Sequence, residues 1–534
     1  MPTLVVAFSV AAGGWLLQEG VDRSANVYVR VRVLQEVVDR VRSSFVEEID
    51  QDALYNSAIE GVIQELDDPH SSFLPASDFE DLRIRTEGEY GGVGLEVVYR
   101  DDHVTVVAPI PGSPGARSGI RAGDQFVEID GIRADTMTTD QAVEILRGRP
   151  GTKVDVKVRR PGVEEPIPFT LERAVVQLKA VPFAMMLPGE VGYVPLQTVR
   201  ETSTAEVRAA VDSLSEVGMR ALVFDLRGNP GGLLDEGIEV SDLFLEPGDA
   251  IVETRGRAEN QNETFRASDP DRYPELPVVV LVDGTSASAA EIVAGALQDH
   301  DRAVVVGRTT FGKGSVQSLF RLTGGNVLRL TTARWYTPMG RSIHRDPEAS
   351  LPAEPHALAI SGQVVDSTNV NELPEFQSMG GRTLHGGGGV VPDLNVTPET
   401  LTPAEAQAVQ RLFRRGGAFQ VALFGYAVTY VRDHPRLQPG FRLGQGDLQA
   451  FYATLPDREA AVDRADFDQA ERFVRYHLER EIALQAWGPQ GEFEQGMPHD
   501  RQLGAALELL EGVRTQAELF EALPVRSTAT DAGS

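Results

Sequence analysis

Three strings hold the residues able to do chemistry. The first is VDGTSASAAEIVAGALQDH, Val282–His300, where an apolar run ends at Asp283 and Gly284 permits a sharp turn. The small residues Ser286–Ala290 then start a helix. A serine there stands at the C-terminal edge of a sheet, where open α/β folds place ligands. It also lies near the N–H groups and positive dipole end of a helix, which favour an alkoxide or oxyanion. An ordinary N-cap serine is the competing reading. The second string, AVVVGRTTFGKGSVQSLFRL, sets Lys313 between Gly312 and Gly314 at the entry to a strand. A lysine so placed is poorly able to reach water, and desolvation favours the uncharged amine that serves as a general base. Gln317, four residues on, is near enough to orient that amine. The third string is DLRGNPGGLL, Asp225–Leu234. Its consecutive Gly231 and Gly232 let backbone approach a ligand closely, as an oxyanion donor must, although a plain turn would read the same way.

Other chemistries fail on spelling. GRTTFGKGS lacks the Ser or Thr that must follow the lysine of a phosphate-binding loop, because Gly314 stands there. GTSAS carries Ser288 where a hydrolase elbow needs its second glycine. The nine histidines are scattered without an HExxH, and cysteine is absent. Thiol nucleophiles, disulfides and Cys-ligated zinc are thereby excluded, and neither a metal nor a cofactor is expected. A net charge of −29 with no run of Lys or Arg argues against nucleic acid.

The elements that must position these strings follow from hydrophobic period. Val29–Leu66 repeats at helical spacing, so two helices are expected, followed by the loop DDPHSSFL. From Glu87 to Arg173 short period-two runs with glycine punctuation, VTVVAPI and VDVKVRR among them, make a small separate β unit. Beyond Lys179, ALVFDL and PVVVLVD are nearly unbroken apolar runs, as in strands buried on both faces, and each leads through a small-residue loop to a helix. Residues 346–389, rich in Pro, Gly, Ser and Asn, read as a flexible insertion. After Val396 the chain turns helical, opening with the capping box Thr402-Pro403-Ala404-Glu405, and residues 463–486 form another amphipathic helix. The last ten residues read as disordered. At the other end, Leu4–Leu17 has the length of a signal-peptide core or a clipped membrane anchor.

Taken in order, LDDPHSSFL, EYGGVGLEV, GSPGARSGIRAGDQFVEIDG, DLRGNPGGLL, DGTSASAAEIVAGALQD, GRTTFGKGSVQ, GRSIH and GGVVPDLNV resemble the carboxyl-terminal processing peptidases, or tail-specific proteases. The resemblance spans about residues 28–396. It implies a serine endopeptidase with a Ser–Lys dyad and a built-in PDZ domain. The nucleophile would be the second serine of an S-A-S-A-S-E string, here Ser288, and the base the lysine of F-G-K-G, here Lys313, with Gln317 as its partner. Backbone N–H groups of Ala289 and of Gly231 or Gly232 would form the oxyanion hole. Ala290 departs from the string, where a third serine is usual, and Ser286 stays open as a fallback nucleophile. Gly92, Val93, Gly94 and Leu95 resemble the PDZ loop that holds a peptide's terminal carboxylate, with strand addition beside it.

The fold expected is therefore α/β and multidomain, with a mixed-sheet protease core. Residues 1–20 would be a signal peptide or membrane-anchor remnant, 21–86 an N-terminal helical region and 87–175 the PDZ domain. The Ser–Lys peptidase core would occupy 176–396, followed by a helical C-terminal extension over 397–534. Partners would be protein substrates recognised by apolar C-terminal tails, in the periplasm or another exported location. N-terminal membrane anchoring and a homo-oligomer stay open, and a catalytically silent PDZ scaffold is the alternative in another class.

Overall fold

VVVLV at 278–282 can be buried throughout only where apolar layers cover both faces of a sheet. The computed structural model, which describes residues 28–100, 103–160, 162–345, 357–365, 372–414, 417–455 and 462–524, shows how this is met. Six strands line up as β1 (Met185–Leu187), β2 (Val191–Pro195), β3 (Ala221–Asp225), β4 (Val278–Val282), β5 (Val304–Gly307) and β6 (Leu394–Asn395). β1 is antiparallel to β2 and the other neighbours are parallel, so the sheet is mixed. Every residue of β2, β3, β4 and β5 is buried.

Alternate residues divide between two layers. Leu222, Phe224, Val280 and Val282 pack with α1 (Ser203–Glu216), α2 (Leu234–Asp242) and α3 (Ala289–Asp299), through Val207, Val240 and Val293 among others. Val223, Val279, Leu281 and Val306 face the other way, onto Leu503, Ala506 and Leu509 and onto Leu519. These come from α4 (Arg501–Leu509) and α5 (Gln516–Glu521). The C-terminal extension thus supplies the second face of this sheet. At about 25 cal/mol per Å² of apolar surface, each such fully covered side chain contributes roughly 1.5–3 kcal/mol.

Contacts divide the chain into a smaller unit, residues up to 79 with 317–331, and a larger one holding the rest. In the smaller unit, a helix over residues 28–44 and the helix Gln51–Gln64 bear out the two helices expected, and Asp50 caps the second by accepting from the Asp52 N–H. Ser72–Leu74 pairs antiparallel with Val327–Arg329.

In the larger unit, residues 95–172 form an antiparallel sheet through Leu95–Arg100, His103–Pro109, Gln125–Ile129, Lys153–Arg159 and Ile167–Glu172. Val154, Val156 and Val158 point into its core, with exposed residues between them, as the period-two run requires. Glu89–Gly92 pairs with Ala174–Gln177 and brings the two ends of this β unit together. The extension builds a separate core on Phe419, Phe451, Phe467 and Phe473. Its first helix, Pro403–Leu412, starts on the Thr402–Glu405 capping box. The amphipathic run at 463–486 falls into two helices, Arg464–Gln469 and Glu471–Gly496, the second broken at Gly488 (φ 74°) before Pro489.

Within the insertion, Ala357–Leu358 pairs with Val364–Val365 and Glu375–Gln377 with Thr383–His385. The expected signal or anchor segment at 1–20 and the tail at 525–534 lie outside the described residues. No described helix is long and apolar enough to cross a membrane.

Candidate active site

Parallel register brings three loops to one edge. Asp225 aligns with Leu281, and Val282 with Gly307, so the segments leaving β3, β4 and β5 all emerge at the C-terminal end of the sheet. These are the three chemical strings.

The loop after β4 carries two serines in different situations. Ser286 is fully buried; its hydroxyl donates to the Leu226 carbonyl (2.8 Å) and accepts from the Asp283 N–H (3.0 Å). Ser288 is half-buried, sits just before α3 at φ 55°, ψ −117°, and its side chain makes no capping bond. A non-glycine residue at positive φ costs about 1–3 kcal/mol and marks positions where geometry is imposed for a purpose. The N–H groups of Glu291 and Ile292 go to the Ser288 carbonyl (2.9 and 3.1 Å).

Glu291, one helical turn on, explains how the second loop is held. Its Oε2 accepts from the Ser288 N–H (2.8 Å) and from the Lys313 N–H (2.9 Å). Two nitrogens bonded to one oxygen are closer together than the sum of those bonds, so Ser288 and Lys313 are neighbours. Oε1 accepts from Gly312 N–H (2.7 Å) and Thr310 Oγ1 (2.5 Å). The carboxylate is fully buried. Burial pushes its pKa up, and the bonds from Thr310, Gly312, Lys313 and Ser288 pull against that shift. Lys313 itself is half-buried.

The glycine loop closes the third side. The N–H of Ala287 donates to the Asn229 carbonyl (2.9 Å). A Cβ on Gly231, at φ 87°, would stand 2.5 Å from the Ala287 oxygen and 2.8 Å from both the Ala289 nitrogen and Ser288 Cβ. Only glycine fits there. The Gly231 N–H is spent on Asn229 Oδ1 (2.8 Å). Among the described residues, the N–H groups of Ala289 and Gly232 have no partner.

Of the remaining candidates, Gln317 belongs to the smaller unit, where its amide donates to Thr331 Oγ1 (3.5 Å). Gly92–Leu95 forms the loop entering the PDZ-like sheet: Gly94 has φ 70°, and its carbonyl accepts from Ser113 Oγ (2.8 Å) and Ile110 N–H (3.0 Å). Gly92 bridges antiparallel to Arg147, with the Gly148 N–H on the Gly91 carbonyl (3.0 Å). No group of three or more His, Cys, Asp or Glu among the described residues could hold a metal. Glu291, which bonds both the Ser288 and the Lys313 backbone, is not among the residues expected from the sequence, although its spacing from Ser288 is the S-x-x-E of a capping box.

Comparison with known proteins gives this site its family. The peptidase family S41 model matches residues 190–350, which contain all three loops. A PDZ domain model matches residues 105–160, and the N-terminal domain model of the activating protease CtpB matches residues 17–77. A carboxy-terminal-processing protease of Bartonella bacilliformis is 42% identical over 322 residues, 60% of this chain and 73% of that protein. The chain belongs to the carboxy-terminal processing proteases. The family is one of serine-type peptidases, and the chain carries its PDZ domain within the N-terminal half. CtpA of Bacillus subtilis is 33% identical over 58% of this chain and 66% of its own length. A carboxyl-terminal-processing protease of Synechocystis is 39% identical over 54% of this chain and 68% of its own. The solved photosystem II D1 C-terminal processing protease is 32% identical and covers 57% of this chain and 83% of its own, with a TM-score of 0.34. The S41 match ends at residue 350, so the helical extension falls outside it.

Proposed function

We propose that the chain is an endopeptidase in which Ser288 is the nucleophile and Lys313 the general base. Uncharged Lys313 takes the Ser288 Oγ proton as the oxygen adds to the scissile carbonyl; the ammonium so formed returns the proton to the leaving amine. Water, deprotonated by the same amine, then releases the acyl group. The developing oxyanion is received by the N–H groups of Ala289 and Gly232. Gly231, whose own N–H is engaged by Asn229, contributes the absence of a side chain. A substrate's apolar C-terminal tail joins the sheet at Leu95–Arg100, with its carboxylate on the loop Gly92–Leu95. The apolar stretch Leu4–Leu17 supports an exported location.

The observation that carries this reading is the shared Glu291 oxygen, which holds Ser288 and Lys313 side by side while leaving the Ser288 hydroxyl out of the helix cap. The test is cleavage of one reporter protein with and without an apolar tail. Ser288→Ala and Lys313→Ala are expected to lower turnover by at least ~10³-fold, since paired catalytic groups act as a unit, while the fold persists by circular dichroism. Cleavage at the wild-type rate by either variant would remove that residue from the mechanism, and equal cleavage of both reporters would remove the tail from recognition.

A further inference from the structure

The loop that offers Gly231 and Gly232 has Gly228 (φ 73°) and Gly231 in the left-handed region, and its far end is tied to Val199, which donates to the Gly231 carbonyl and accepts from the Leu233 N–H (both 3.0 Å). Arg227 stands at the start of this loop. Its Nε and Nη2 donate to Asp225 (3.0 and 2.7 Å), on the end of β3 next to the same loop. On its other edge, Nη1 and Nη2 donate to the two oxygens of Asp500, each at 2.8 Å, and Nη1 also reaches Gln502 Oε1 at 3.2 Å. Asp500 and Gln502 stand at the start of α4, on the extension. Asp500 Oδ1 accepts from the Leu503 N–H (3.0 Å), and Leu503 is packed on the sheet. The three charged side chains are 6–20% exposed.

We infer that Asp500 is a positioning residue for catalysis: by gripping Arg227 it sets the backbone that presents Gly232 N–H to the oxyanion. The inference rests on the proposed Ser288–Lys313 mechanism. Asp225, at the end of β3 and bonded by the Tyr193 hydroxyl (2.6 Å), fixes one edge of the guanidinium. Asp500 supplies an independent reference, carried by a helix seated on the opposite face of the sheet. A planar guanidinium held along two edges by two carboxylates has its rotation and tilt fixed together, which one partner does not achieve. The extension, outside the matched peptidase region, is thereby part of the working site.

The full-length protein with Asp500→Ala, Asp500→Asn and Asp500→Glu tests this against a tailed reporter. Misplacing one oxyanion donor is expected to lower kcat roughly tenfold or more in the Ala variant, with KM and the Kd of a tail peptide unchanged. Labelling by a fluorophosphonate should slow in parallel, because its phosphoryl oxygen uses the same N–H groups. Asp500→Glu is expected to recover more turnover than Asp500→Ala. Wild-type kcat in a folded Asp500→Ala overturns the inference. So does a loss of kcat that follows the melting temperature across the series with no recovery in the Glu variant. Should Asp500→Ala fail to fold, Asp500→Asn and Gln502→Ala decide by the same kcat-to-KM comparison. A Ser288→Ala control that still cleaves would sink the dyad reading on its own, whatever the Asp500 variants do.

Discussion

Glu291 accepts four hydrogen bonds from two loops that the chain separates by more than a dozen residues, and so couples the position of Ser288 to that of Lys313. Ser288 and Lys313 stand out as candidates from spelling, because small residues around a serine and glycines around a lysine have few uses at strand ends. Glu291 was not, since an acid in the first turn of a helix reads as a complement to the dipole. Its second oxygen matters only once β5 lies beside β4. Burial separates the two serines, Ser286 being fully buried and Ser288 half-buried. Ser286→Ala is expected to keep cleavage within about tenfold of wild type but to lose about 1–3 kcal/mol of stability, because it strands the Asp283 N–H in the interior and leaves the Leu226 carbonyl only its bond from the Asn229 N–H. Thermal melts beside the reporter assay check this. A Ser286→Ala protein with normal melting and no cleavage would reverse the assignment.

At the scale of elements, the apolar runs of β3 and β4 required cover on two faces, and the helices after each strand accounted for one. What lies on the other could not be read locally, because Arg227 and Asp500 are 273 residues apart and no period links them. The helix Glu471–Gly496 adds a pH dependence. His477 Nε2 donates to the Ile360 carbonyl (3.0 Å), and burial, aided by Arg480, pushes the ring's pKa down to about 4 from the ordinary 6.5. Between those values the unfolded chain binds a proton that the folded ring refuses. Stability from this site is therefore full above pH 6.5 and declines as pH falls to 4, by roughly 3 kcal/mol in all. His477→Gln should flatten that slope in denaturant titrations run across the window; an unchanged slope would assign the acid sensitivity elsewhere.

For the whole molecule, the covering of Val223, Val279, Leu281 and Val306 by Leu503, Ala506, Leu509 and Leu519 makes the extension integral to the larger unit. A chain stopped after residue 396 is expected to bind an apolar dye or precipitate, and to cleave nothing, since it uncovers a contiguous apolar face. A soluble, fully active truncation would show the cover to be dispensable. The order of the chain then has a temporal meaning. Ribosomes deliver Ser288 and Lys313 long before residues 501–521, so a nascent chain carries its destructive groups while the sheet beneath them is still half-clothed. On the proposed mechanism, a chain lacking residues 501–521 is expected to be inert, so the arrival of this cover and the onset of cleavage coincide.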